Sequence, residues 1–173
     1  MIRRIVALAL VPLLAASPGL AQTVVIVRHA EKAAPSGDPD LSPAGQVRAQ
    51  ALAQALSGGQ VVRVLVTPLK RTGQTGQPTA QAAGIEPVAV PFDGGDQAHA
   101  GRVADLARAV PVEATVLIVG HSNTVGNIAR ALGDPAPEAI TDCDYDKMTV
   151  IHLHGTAPPT VIHTRYGAPT AAC

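Results

Sequence analysis

Hydrophobic and polar positions follow two regimes along this chain: short unbroken runs of β-branched residues, and longer stretches in which apolar residues recur at three- and four-residue spacing. Val24-Val25-Ile26-Val27 is the first run. A continuous apolar run of this kind reads as a strand covered on both faces. It stops abruptly at Arg28-His29, with Ala30, Glu31 and Lys32 beyond, at the carboxyl end of the strand, where open α/β sheets place their ligand crevice. Residues 33–41, with Pro35, Gly37 and Pro39, read as a loop. Ser42-Pro43 then supplies an N-cap and a first-turn proline. Val47, Ala51, Leu52, Ala55 and Leu56 follow at helical spacing and predict a crossover helix ended by Gly58-Gly59.

The same alternation continues. Residues 61–66 predict a second buried strand, ending at Thr67-Pro68, and residues 71–83 a second helix closed by Gly84, with a kink or break at Pro78. Residues 87–90 read as a short strand and 91–96 as a turn-rich loop. A third helix is predicted over 100–110, with Val103, Leu106, Ala107 and Val110 on one face. Thr115-Val116-Leu117-Ile118-Val119-Gly120 is the clearest buried strand; it ends at His121, and a helix over 123–132 follows. Residues 149–154 and 160–165 are close enough in sequence to pair as an antiparallel hairpin. The pattern predicts a three-layer α/β domain, its sheet mostly parallel, with helices on both faces and a C-terminal antiparallel hairpin.

The first residues do not fit that domain. Arg3 and Arg4, an apolar run over 5–16, and the small-residue break Ser17-Pro18-Gly19-Leu20-Ala21 form a signal-peptide pattern, so residues 1–21 are expected to be removed after Ala21, leaving 22–173 as one domain. The expected location is secreted or periplasmic. In such an oxidising compartment Cys143 and Cys173 can pin the C-terminal tail to the loop that carries Cys143. Formal charge is balanced, with Lys+Arg 13 against Asp+Glu 13, and the chain has no Trp and one Phe. Neither a nucleic-acid surface nor a polybasic membrane anchor is indicated.

Candidate chemistry sits at three strand ends: Arg28 and His29, Arg71, and His121. Parallel strands release their carboxyl ends along one edge, so these residues can converge, and two guanidiniums with two imidazoles make a pocket for a tetrahedral anion. Arg28-His29-Ala30, the stretch from Thr67 through Pro68, Arg71 and Thr72 to Thr75, and Gly120-His121-Ser122 resemble, in that order, the motifs of the histidine phosphatase superfamily, which shares its fold with the cofactor-dependent phosphoglycerate mutases. The resemblance covers nearly the whole chain after residue 21. It implies that His29 is the nucleophile that becomes phosphohistidine, that Arg28, Arg71 and His121 hold the phosphoryl oxygens, and that no metal or cofactor takes part. The implied activity is hydrolysis of phosphate monoesters or a related phosphorylated species, small or carried on a phosphoprotein.

Two positions depart from the family pattern. Ala30 stands where glycine is commoner, and the general acid usually found after the third strand has only Asp93 and Asp96 to represent it, with His99 just beyond. Asp93 is the first choice as acid. Without an acid the enzyme would favour good leaving groups: phosphohistidine, acyl or aryl phosphates. Small phosphohistidine phosphatases, similar to this chain in length, also lack the usual acid.

A different class of function, a non-catalytic phosphate or phospholigand binder, would keep the same pocket. Ser122 on its strand-to-helix turn lacks the closing glycine of a serine-hydrolase elbow, and is expected to cap the helix or to touch phosphate through its hydroxyl. Asp142, Asp144 and Asp146 alternate like a calcium loop, but Lys147 stands in the glycine position and Leu153 in that of the closing glutamate. Tyr145 and Asp146 are instead expected at the mouth of the site. His152, His154 and His163 are explained by an edge strand with one wet face.

Overall fold

The computed structural model describes residues 21–170, so the signal-peptide expectation falls on residues outside the described range, as does the Cys173 half of the expected disulfide. The elements are β1 (Gln22–Arg28), α1 (Pro43–Ala55), β2 (Val61–Val66), α2 (Lys70–Ala83), β3 (Val88–Ala89), α3 (Gly95–Arg108), β4 (Thr115–Gly120), α4 (Val125–Ala131), β5 (Lys147–His154) and β6 (Ala157–Arg165). They build a 6-stranded sheet in the order β3-β2-β4-β1-β5-β6. β1, β2, β3 and β4 are mutually parallel, whereas β5 runs antiparallel to β1 and β6 antiparallel to β5.

The unbroken runs are buried for the expected reason. Alternate side chains of β1 enter opposite cores: Val24 and Ile26 join Val116 and Ile118 under α3 and α4, while Val25 and Val27 join Leu117 and Val119 under α1 and α2. β1 and β4 therefore have no wet face and end in register, Arg28 beside Gly120. That pairing sets the next residues, His29 and His121, side by side at one edge.

Helical details differ from expectation where the sequence gives little contrast. The inward face of α1 is Gly45, Arg48, Ala49 and Leu52, whereas Val47 is 69% exposed. Its alanine-rich sequence allows several apolar stripes, and the ion pair of Arg48 with Glu31 selects this one. α2 runs through Pro78 without a break, its Thr75, Gly76, Thr79 and Ala80 buried on both sides of the proline. α3 starts at Gly95, well before residue 100: Gly94, at φ 79°, closes the preceding turn and α3 begins directly after it. Leu106 of α3 is exposed; Val103 and Ala107 carry the contact. The edge strand is β6, not β5. His152 bonds Thr23 at 3.2 Å, His154 bonds Thr160 at 3.1 Å, and His163 faces Thr149 and Asp134.

One glycine is required by a close approach. Gly45, in the first turn of α1, lies against the backbone of Glu31, and any Cβ there would overlap the Glu31 carbonyl oxygen. Alanine normally stabilises a helix over glycine by about 1 kcal/mol. Here the sign should reverse. Gly45→Ala is expected to destabilise the fold by about 1–3 kcal/mol, the usual range for overpacking, read as a lower urea midpoint at unchanged slope.

Candidate active site

His29 is 3% exposed and lies one residue past β1. Its Nδ1 is 2.8 Å from the carbonyl oxygen of Ala30. A carbonyl only accepts, so Nδ1 carries the hydrogen and Nε2 keeps its lone pair. The backbone N–H of Ala30 donates to Thr75 Oγ1 at 2.9 Å, and that hydroxyl donates to the Arg71 carbonyl at 2.7 Å. Thr75 thus joins the end of β1 to the start of α2. The Ala30 methyl is fully buried with Leu41 and Ala49, so the residue that departs from the glycine pattern fills a small apolar cluster.

Arg28 is 4% exposed. It donates to the Thr141 carbonyl at 2.8 Å, lies 4.2 Å from the centre of the Tyr145 ring, and meets Asp142 at 3.4 Å. Arg71, in the first turn of α2, meets Asp38 at 3.4 Å. Asp38 also accepts from the Lys70 N–H at 3.1 Å, supplying the start of α2 with the cap that Leu69 lacks. Both arginines keep a buried Nε–H with no acceptor among the described residues. Buried charge-bearing donors left unpaired are costly, and they are suited to the oxygens of an anionic ligand.

His121 follows β4 directly. Its ring centroid is 5.3 Å from that of His29. Its Nε2 is 3.0 Å from Thr67 Oγ1, which is in turn 2.9 Å from Thr72 Oγ1. Thr124 accepts from the His121 N–H at 2.9 Å and fixes the turn. A side chain at Gly120 would press on Thr124 and Val125, at 2.9 Å from each, so glycine lets the strand turn this sharply. Phe92 lies between His121, at 5.7 Å, and the buried His99, at 4.8 Å, its ring tilted against both.

Burial first, then the nearby charges of Arg28, Arg71 and Lys32, lowers the His29 pKa to about 4, against the opposing pull of the Ala30 carbonyl. Burial, His29 and Arg71 lower His121 to about 3. Both rings are therefore neutral at physiological pH.

The remaining expected residues fall in different places. Asp93 is exposed on the loop before α3 and Asp96 lies in its first turn. Among the described residues no carboxylate hydrogen-bonds to His29 or His121. Ser122 does not cap α4; its hydroxyl donates to Asp142 at 3.2 Å. Glu31 forms a paired-oxygen bridge to Arg48, and Lys32 donates to the Pro35 carbonyl at 2.9 Å. Tyr145 does reach the site, 6.1 Å from His29, but Asp146 turns inward to Arg165 and Thr170. Sequence reasoning gave no role to Thr75, Asp38, Phe92 or Asp142. Thr75 lies inside the second motif; the other three sit on loops, where no periodicity marks them.

Residues 24–91 match the model of the histidine phosphatase superfamily, branch 1. Among solved structures, the chain is similar to one from Nakamurella multipartitia assigned to the phosphohistidine phosphatase SixA, at 24% identity and TM-score 0.62, over 88% of this chain and 100% of that one. The tungstate complex of the protein histidine phosphatase SixA matches at 21% identity and TM-score 0.63, over 83% and 96%. The mycobacterial glucosyl-3-phosphoglycerate phosphatase matches at 15% and 0.60, over 82% and 97%. The fold is that of the histidine phosphatases. No curated protein sequence matches the chain.

Three measurements check the burial and the hydrogen bonding of this site. Imidazole resonances followed by NMR should stay those of neutral rings well below the ordinary value of 6.5, with midpoints near 4 for His29 and 3 for His121. Midpoints at the ordinary value would overturn the buried, neutral assignment. Because unfolded imidazoles take up protons that the folded ones refuse, these two groups should also cost stability as pH falls below 6.5 toward 4. Thr75→Val should destabilise the protein by about 1–3 kcal/mol, because it strands the buried Ala30 N–H, and equilibrium denaturation would read the loss.

Proposed function

We propose that this chain is a metal-independent phosphatase that works through phosphohistidine at His29. The observation that carries the reading is the fixed tautomer: Nδ1–H is held by the Ala30 carbonyl, so the Nε2 lone pair is presented beside two buried arginine donors that have no acceptor among the described residues. Phosphoryl transfer has a loose transition state, and catalysis is mainly positioning and charge stabilisation. Arg28 and Arg71 supply both. His121 adds a third donor when Thr67 gives its hydroxyl hydrogen to Nε2, which leaves the proton on Nδ1 for a phosphoryl oxygen.

In the first step His29 Nε2 bonds to phosphorus and the leaving group departs with its electron pair. The ring gains positive character, which the Ala30 carbonyl stabilises. Water then attacks phosphorus, the P–N bond breaks, and inorganic phosphate leaves as Nε2 recovers its lone pair. The exposed Asp93 is the candidate to protonate the leaving group; substrates that need no proton, such as aryl phosphates, acyl phosphates and phosphohistidine, are the favoured class. The family match and the phosphatase neighbours support this reading. As part of the same proposal the protein acts outside the cytoplasm, on the strength of the Arg3 to Ala21 pattern.

Rapid quench with radiolabelled phosphoramidate or acyl phosphate should trap an acid-labile, base-stable label on the wild type. His29→Ala should lose label and turnover of para-nitrophenyl phosphate while keeping its circular dichroism, and Arg71→Gln should lose at least about a hundredfold in kcat/KM. Absence of both label and turnover with aryl phosphates, acyl phosphates and phosphohistidine would instead mark a binding domain.

A further inference from the structure

Phosphoryl transfer at His29 makes no use of His99, yet this imidazole in the second turn of α3 is 1% exposed, as deep as the core of the sheet. Its Nδ1 is 2.9 Å from the Pro91 carbonyl oxygen; a carbonyl only accepts, so the ring donates there. α3 takes up the next carbonyls as well. The Pro91 oxygen also accepts from Arg102 at 2.9 Å, the Phe92 oxygen from the Gly95 N–H at 3.2 Å, and the Asp93 oxygen from Arg102. On the other side the Val90 N–H donates to the Val66 carbonyl at 2.8 Å. Residues 91–93 are thus pinned from both directions and form a wall of the crevice. His99 is the buried member of the clamp, where water does not take its place.

That wall carries Phe92, the chain's one phenylalanine. Its ring centroid is 4.8 Å from that of His99, inclined at 35°, and 5.7 Å from that of His121, inclined at 41°. The His121 ring has one hydrogen-bonding partner among the described residues, the Thr67 hydroxyl 3.0 Å from its Nε2. A ring held by one hydrogen bond can pivot about it. Its contacts with His29, at 5.3 Å, and with Phe92 restrict that pivot. An imidazole aimed at a phosphoryl oxygen needs such restriction, because a misplacement of about 1 Å can cost on the order of a hundredfold in rate.

We infer that His99 and Phe92 are positioning residues for His121: His99 fixes the 91–93 loop through the Pro91 carbonyl, and Phe92 passes that fixity to the ring that donates to the phosphoryl group. The inference rests on the phosphatase reading and extends it to a helix that supplies no phosphate ligand. Both residues act through His121 and not on the substrate.

Kinetic cycles on the full chain with para-nitrophenyl phosphate test this. Phe92→Leu, which keeps apolar bulk, and His99→Leu should each lower kcat by about tenfold or more with KM changed less than about twofold, because a donor acting in the transition state is disturbed. His99→Asn, with an amide N–H near the place of Nδ1, should recover most of the loss. In a His121→Ala background the two leucine substitutions should cost less than about threefold, since the ring they position is gone. A merely structural role would cost the same in both backgrounds. NMR should show displaced His121 imidazole resonances in Phe92→Leu at unchanged circular dichroism. Wild-type kcat in both leucine variants, His99→Asn no better than His99→Leu, unmoved His121 resonances, or a full loss that persists in His121→Ala overturns the inference, while wild-type turnover leaves the phosphatase reading standing. If His99→Leu does not fold, Phe92→Leu and its cycle with His121→Ala decide alone. If the wild type neither turns over nor takes label, the phosphatase reading fails and this inference with it.

Discussion

The two polar backbone groups of Ala30 hold the candidate site together. Its carbonyl takes the Nδ1 hydrogen of His29, and its N–H reaches Thr75, whose hydroxyl continues to the Arg71 carbonyl. One residue therefore fixes the tautomer of the imidazole and the distance between the first strand end and the helix that carries the second arginine. The next residue extends the clamp: Glu31 locks onto Arg48, and its carbonyl accepts from Ser42 at 2.9 Å where Gly45 gives it room. Buried hydrogen bonds of this kind add little net stability when made and cost much more when one partner is lost. The site is therefore rigid because it is buried.

Burial also sets the electrostatics. Water is kept from His29 and His121, and this exclusion, more than any single neighbour, holds both rings neutral. Neutrality is what a nucleophilic imidazole needs, and the arginines add to it. Floor and chemistry thus share one cause: β1 and β4 have no solvent-facing side, so whatever follows them starts out inside the protein.

This explains which parts could be read from sequence. The β-branched runs of β1 and β4 are unmistakable, because a strand covered on both faces has no polar alternation to blur it, and the histidines that end them are legible for the same reason. The face of α1 was not. In an alanine-rich helix the apolar stripe is ambiguous, and a buried ion pair, Arg48 with Glu31, made the choice. The start of α3 was hidden because Gly94-Gly95 is turn chemistry in sequence, and here the turn is the entrance to a helix. Asp38 and Asp142 belong to loops that read as ordinary polar connections, and their place at the arginines depends on how those loops fold back. The three alternating aspartates of residues 142–146 show the limit well: one meets Arg28, one turns to Thr141 and Lys147, and one is buried against Arg165.

The reversal of β5 has a further effect. A strand that runs against its neighbours enters the sheet at the edge where they leave it, so the segment leading into β5 is delivered to the crevice without contributing to the parallel core. Strand ends that emerge from the core cannot drift without disturbing both hydrophobic layers, and the approach to β5 is pinned through Thr141, Asp144 and Asp146, so its exposed positions, such as Asp142, are the ones that can change charge at little cost to folding. The surface chemistry of the crevice can therefore vary at those positions while the strand ends beneath them stay in place.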